Sequence, residues 1–230
     1  MSIAIPFLLI ELLTLLIILA KIKEIIFSGG QFMRITKTAV IQAAADIADD
    51  KGLNNVSLKV VAEKLHIRTP SLYNHINNLD DLLLEVAHAG MRTMNQRMIQ
   101  AAIGKSGDAA MQAVAIEYLN YMIEHCGVYE TIQWATWHGT NETAAIFSDY
   151  TNLLKTLILS YNFETQKVPE ILNLLMGFFH GYTTLQLRYA FSDAEKVRNE
   201  LHENLDTVLA GIHQKYDHTI RAALDSQPKE

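Results

Sequence analysis

From residue 37 onward, apolar positions recur at helical rather than strand spacing. Val40, Ala43, Ala44, Ile47 and Ala48 form one apolar stripe and predict a helix over 37–51. Gly52 follows at once, a common residue just past a helix end. Ser57 can cap a second helix, SLKVVAEKL, with Leu58, Val61, Ala62 and Leu65 turned inward. No glutamate or glutamine stands three residues after the serine, so this cap is single-sided. The turn HIRT leads to Thr69 and Pro70, which suit the N-cap and first position of a third helix, PSLYNHI, of about two turns. Leu72 and Ile76, four apart, can pack inward together. Asn78, with Asp80 and Asp81 in the following turn, opens a fourth helix running to about Ile103.

After a break at 104–108, helical stretches are predicted over 108–126, 128–138, 142–161, 168–190 and 194–219. Gly127, Gly139, the polar stretch 162–167 ahead of Pro169, and Ser192 punctuate them. The fold class is therefore all-α. A three-helix head over 33–82 precedes a larger helical body over 83–219, and 220–230 is a tail. Half the chain is hydrophobic and 19% is charged, which excludes a disordered or collagen-like protein. One cysteine, Cys126, excludes an internal disulfide framework and any multi-cysteine metal centre. With no second thiol to resolve it, Cys126 reads as a small buried hydrophobe.

Residues 1–32 stand apart. Ile3 to Ala20 is almost continuously apolar and about long enough to span a bilayer as a helix. Pro6 and Glu11 weaken that reading, and Lys21 and Lys23 would hold the rest of the chain in the cytoplasm. Two readings stay open: a membrane anchor on the cytoplasmic side, or a reading frame extended upstream of a start at Met33.

The net charge of −6 is unevenly spread. Residues 33–80 carry six Lys and Arg against five Asp and Glu; residues 81–230 carry eleven against eighteen. An acidic whole argues against non-specific wrapping of nucleic acid, but it permits a small reading head on an acidic body. Two short helices joined by a tight turn describe a helix-turn-helix, although the same spacing also describes plain packing units. A short helix can enter the DNA major groove with its N-terminal residues against base edges. Arg68, Thr69, Ser71 and Asn74 have the size and polarity for this, Arg68 with a bidentate contact to guanine. Tyr73 and His75 can reach phosphate oxygens.

The stretch VSLKVVAEKLHIRTPSLYNHINNLDDLL resembles the DNA-binding segment of the TetR/AcrR family of bacterial transcriptional regulators. Ser57, Ala62, Glu63, Leu72, Tyr73, His75, Ile76, Asp80, Asp81 and Leu82 carry the match. The resemblance implies base or groove contacts at Lys59, Thr69, Pro70, Ser71 and Asn74, and phosphate contacts at Ser57, Tyr73 and His75. Two positions depart from the pattern. His66 stands where the turn usually has glycine, and Leu79 stands where many members carry lysine.

The stretch MGFFHGYTTLQL, 176–187, resembles the His-Gly signature of a TetR subgroup with a WHG-type C-terminal domain. In this family the body binds a small molecule and dimerises. An apolar pocket with few polar groups is the usual form of such a site, and the crowded aromatics of the body could line one or form ordinary core. Tyr118, Tyr121, Met122, His125, Trp134, Trp137, His138, Phe179 and His180 are the candidate lining residues. Taken alone, His180 in its apolar run reads more readily as a satisfied core histidine. The resemblance implies a homodimer through 168–219 and a near-palindromic double-stranded operator. It implies a ligand-released repressor with an unknown small-molecule effector. Motifs for phosphate loops, zinc proteases or nucleophile elbows are absent from the sequence, so no catalytic residue, metal site or cofactor is assigned. The competing readings are an all-α enzyme and a membrane-tethered signalling or adaptor protein.

Overall fold

A computed structural model of the chain describes residues 35–161, 163–188 and 193–217. The apolar run at 3–20 and the tail at 220–230 lie outside the described residues, and so does Ser192. Among the described residues no helix is long and apolar enough to cross a membrane.

Helix α1 spans Lys37–Lys51 and buries the predicted stripe from Val40 to Ala48. Gly52 ends it at φ 83°, donating its N–H to the Ala48 carbonyl at 2.8 Å. A short 3-10 turn, Leu53–Asn55, leads to α2, Leu58–Lys64. The Ser57 hydroxyl caps α2, accepting from the Val60 N–H at 3.3 Å. The third helical position, α3, is Thr69–Asn74 and is a 3-10 segment rather than two turns of α-helix. Its bonds close over three residues, Ser71 N–H to Arg68 O at 2.9 Å and His75 N–H to Leu72 O at 2.8 Å. The Arg68 carbonyl thus accepts the first bond, which makes Arg68 the N-cap, and Thr69 lies inside the segment.

Helix α4, Leu79–Ala102, is the longest described. The Asn78 side chain caps it, accepting from the Asp81 N–H at 2.8 Å. Asp81 in turn accepts from the Asn77 backbone and side chain at 2.8 and 3.1 Å. Helices α5, Gly107–Glu124, and α6, Cys126–His138, follow. Then come α7, Asn141–Leu159, α8, Val168–Arg188, and α9, Ala194–Tyr216. Leu119, Leu154, Ile158, Ile171, Leu175, Phe179, Leu201 and Leu205 join Met98 and Met111 in one core drawn from α4, α5, α7, α8 and α9.

The break between α5 and α6 falls at His125 (φ −132°, ψ 55°), not at Gly127. Gly127 serves a different purpose inside the first turn of α6. A Cβ at this position would lie 1.9 Å from the Ala48 carbonyl oxygen, so the glycine lets α6 press directly onto the α1 backbone. Gly90 does the same on the other side, where a Cβ would meet Val128 Cγ1 at 2.4 Å. Helix α6 is therefore wedged against both α1 and α4, and the described residues from Lys37 onward form one compact unit.

Candidate functional site

The head presents its polar residues on a rigid apolar frame. Val61 and Ala62 of α2, with Leu72 and Ile76 around α3, are buried. Their anchoring leaves Lys59, Arg68, Pro70, Ser71, Tyr73 and Asn74 exposed along α2 and α3, with Ser57, Thr69 and His75 partly covered. Lys59 pairs loosely with Glu63 at 3.9 Å, and both side chains are mostly solvated, so the lysine is held by little. Ser57 accepts a bond as the α2 cap and still has its own O–H to donate. The turn is completed by His66 at φ 54°. This left-handed conformation is the one that glycine usually supplies, and a residue with a Cβ holds it at a cost of about 1–2 kcal/mol.

Asp49, near the end of α1, joins the head to α6. Its carboxylate accepts from the Val128 N–H at 2.8 Å and contacts His125 Nδ1 at 2.9 Å. A carboxylate at the start of α6 also faces the positive end of the helix dipole. Two residues on, Glu130 accepts from the Leu53 N–H at 3.2 Å. Between them, the Tyr129 hydroxyl lies 2.9 Å from His180 Nδ1 and 2.9 Å from Thr184 Oγ1 of α8. One turn of α6 therefore touches the head on one side and α8 on the other. Cys126 stands at this junction and is exposed, not buried as its sequence setting suggests. Partial desolvation and the Asp49 carboxylate push its thiol pKa up.

A cavity of about 320 Å³ lies within the body. Met91 and Met94 of α4 line it with Tyr118 and Met122 of α5, and Ile132, Gln133 and Thr136 of α6. Phe147 and Tyr150 of α7 and Met176, Gly177 and His180 of α8 complete the wall. A second cavity of about 330 Å³ shares Met91, Thr136 and Phe147 with the first. Neither wall contains Lys, Arg, Asp or Glu. Burial pushes the Tyr118 and Tyr150 hydroxyls well above the usual tyrosine pKa, so both stay protonated. Behind the second cavity, buried His88 bonds Thr143 Oγ1 at 2.8 Å, and desolvation lowers its pKa.

No family model matches the chain. The chain is 33% identical over 180 residues to the uncharacterized HTH-type transcriptional regulator YobS of Bacillus subtilis (strain 168), covering 77% of this chain and 93% of that protein. Its fold matches that of a TetR variant from Acinetobacter baumannii AYE in complex with minocycline, with a TM-score of 0.60. That match has 18% identity and covers 79% of this chain and 98% of the other. BioQ with its double-stranded DNA operator matches with a TM-score of 0.57 and 17% identity, over 77% and 99% of the two chains. The chain belongs to the TetR family of HTH-type transcriptional regulators.

In this TetR-family regulator the nine residues expected at DNA all lie on or beside the α2–α3 unit. The nine expected around a cavity scatter. Tyr118, Met122 and His180 line it; His180 is exposed at the wall and bonded to Tyr129, rather than enclosed in core. Phe179 is buried behind Tyr118, with ring centroids 6.1 Å apart. Tyr121 is held under the Arg97 guanidinium at 5.5 Å and against His125 at 4.7 Å. His125 is committed to Asp49. Trp134 stacks on His138 at 4.7 Å, and the His138 ring donates to the Trp134 carbonyl at 2.9 Å. Trp137 is 86% exposed. The reason is rotational. Ile132, Gln133 and Thr136 share the inward face of α6, and Trp134, Trp137 and His138 fall on the next stripe. Aromatic crowding alone misses Met91, Met94 and Met176. The signal that finds them is methionine placement, because four of the chain's eight methionines line this one cavity.

Proposed function

We propose that this TetR-family regulator is a cytoplasmic repressor that grips a near-palindromic operator as a homodimer and is released when a small molecule enters the body cavity. The observation that carries this reading is the continuity of α4. Its first turn is capped beside the reading head, and Met91 and Met94, farther along the same helix, form part of the cavity wall. A ligand that displaces those methionines moves a rigid element that also packs against α1 of the head. Helix α6 offers a parallel route, since its first turn is bonded to Asp49 in the head and to His180 at the cavity. A coupling of about 1–3 kcal/mol, or 5- to 150-fold in affinity, is enough for a regulatory response.

The dimer is supported by α8. Leu174 and Leu185 are about half exposed, and nothing lies within 4 Å of a Cβ built at Gly181 between them. This open apolar stripe within 168–219 suits packing against a second copy in a two-fold arrangement. The operator in BioQ and the minocycline in the Acinetobacter TetR are precedents for both ends of the mechanism. No catalytic step enters it. A gel shift of the full chain against DNA flanking its own gene, with unrelated duplex as competitor, tests the reading. A discrete complex that survives competitor is expected; equal loss to any duplex would refute it.

A further inference from the structure

We infer that the effector is an uncharged, largely apolar small molecule carrying a single hydroxyl or carbonyl group, which the Tyr150 hydroxyl and the Gln133 amide recognise. The inference rests on the reading of the cavity as the effector site. Three observations carry it. The wall has no Lys, Arg, Asp or Glu, and the adjoining cavity has none either. An ion entering would therefore give up hydration against a wall whose one imidazole, His180, is already bonded through Nδ1 to Tyr129, which disfavours it. Four methionines, Met91, Met94, Met122 and Met176, supply a soft, polarizable lining that packs against apolar and aromatic surface. The volume, about 320 Å³, lies at the small end of the usual range of about 300–1,000 Å³ for ligand pockets.

The polar group of the ligand follows from what the wall leaves unpaired. The Tyr129 hydroxyl is already engaged with His180 and Thr184. Thr136 donates to its own helix, to the Gln133 carbonyl at 2.7 Å. Tyr150 is buried, its ring stacked on Tyr118 at 5.9 Å, and its hydroxyl has no hydrogen-bond partner among the described residues. The Gln133 side-chain amide has none either, and it sits on the same wall. The Tyr150 hydroxyl opens on the cavity rather than being sealed in the core, so a ligand oxygen that accepts from it takes the place of water and fixes the ligand's polar end. Gln133 offers both a donor and an acceptor, so it can meet either a carbonyl or a hydroxyl.

A matched trio of probes on one aromatic frame tests this with the full chain. 2-Naphthalenemethanol is neutral, 2-naphthoate is an anion and 2-naphthylmethylammonium is a cation. Titration calorimetry is expected to give saturable binding of the neutral compound and at least about 100-fold weaker binding of both ions. Tyr150→Phe removes one oxygen and keeps the ring, and it is expected to weaken the neutral probe about tenfold. Met122→Trp fills the cavity and should abolish binding, with a circular dichroism melt to verify that it folds. Equal or tighter binding of either ion would overturn the inference, as would an unchanged affinity in Tyr150→Phe or no binding of the neutral probe at all. The regulator reading fails separately. A discrete operator complex without any probe keeps it standing even if the trio refutes the ligand class. Neutral binding that leaves operator affinity unchanged would instead sink ligand release alone.

Discussion

All nine candidate DNA-contacting residues of the reading head fall between Ser57 and His75, whereas the cavity takes its lining from five helices between Met91 and His180. The head works by exposure. Leu72 and Ile76 are buried so that the residues around them face out. The cavity is a half-open recess between helices, and its polar groups count because so few are present. A local motif can therefore carry the first function, while the second depends on how long helices are rotated against one another. Helix α6, pressed onto α1 at Gly127 and lining the cavity at Ile132, Gln133 and Thr136, is where the two meet.

The comparison breaks most severely at that contact. Gly127→Ala puts a methyl group into the Ala48 carbonyl, and α6 must shift. A loss of about 2–3 kcal/mol of stability is expected in urea unfolding, with operator and probe affinity falling together. A variant that melts like the parent would show that the helices are not tightly apposed there. Arg68→Ala should separate the two regions. Operator affinity is expected to drop by about 1–3 kcal/mol, with the melting curve and probe binding unchanged, because Arg68 is exposed. An unaltered gel shift would remove Arg68 from the interface. His66→Gly relieves the left-handed turn residue and should stabilise the chain by about 0.5–1 kcal/mol, without changing its operator. Lower stability would mean that the histidine makes contacts outweighing its conformational cost.

The smallest effect is a slope with pH. Burial lowers the pKa of His88 below its ordinary 6.5, so the folded chain takes up a proton less readily than the unfolded chain. The stability held by neutral His88 is complete above pH 6.5 and declines as pH falls through and below that value. Chemical denaturation from pH 7.5 to 5.5 should show this decline, and His88→Gln should flatten it. An equal slope in the variant would assign the effect to another group.

Legibility followed the same division. The α1 stripe, the Gly52 stop, the Ser57 and Asn78 caps and the buried pair Leu72 and Ile76 are local features, and the fold has each where its neighbours in sequence require it. The 3-10 form of α3 was not legible, because six residues satisfy either helix type until tertiary anchoring selects one. Gly127 misled for a physical reason. A glycine that ends a helix and one that admits a neighbouring backbone look alike in sequence. The cavity was the least legible part. An aromatic at helical spacing can face the cavity, as Tyr118 does, or the solvent, as Trp137 does, and only the packing angle decides.

Footprinting of the full chain on the DNA flanking its own gene tests the central claim most directly. Two protected half-sites related by a near-palindrome, their centres one helical turn or a small multiple apart, are predicted, and Arg68→Ala should lose that protection. Uniform weak protection of any duplex, unchanged in the variant, would contradict the assignment of α2 and α3 as a sequence-reading head.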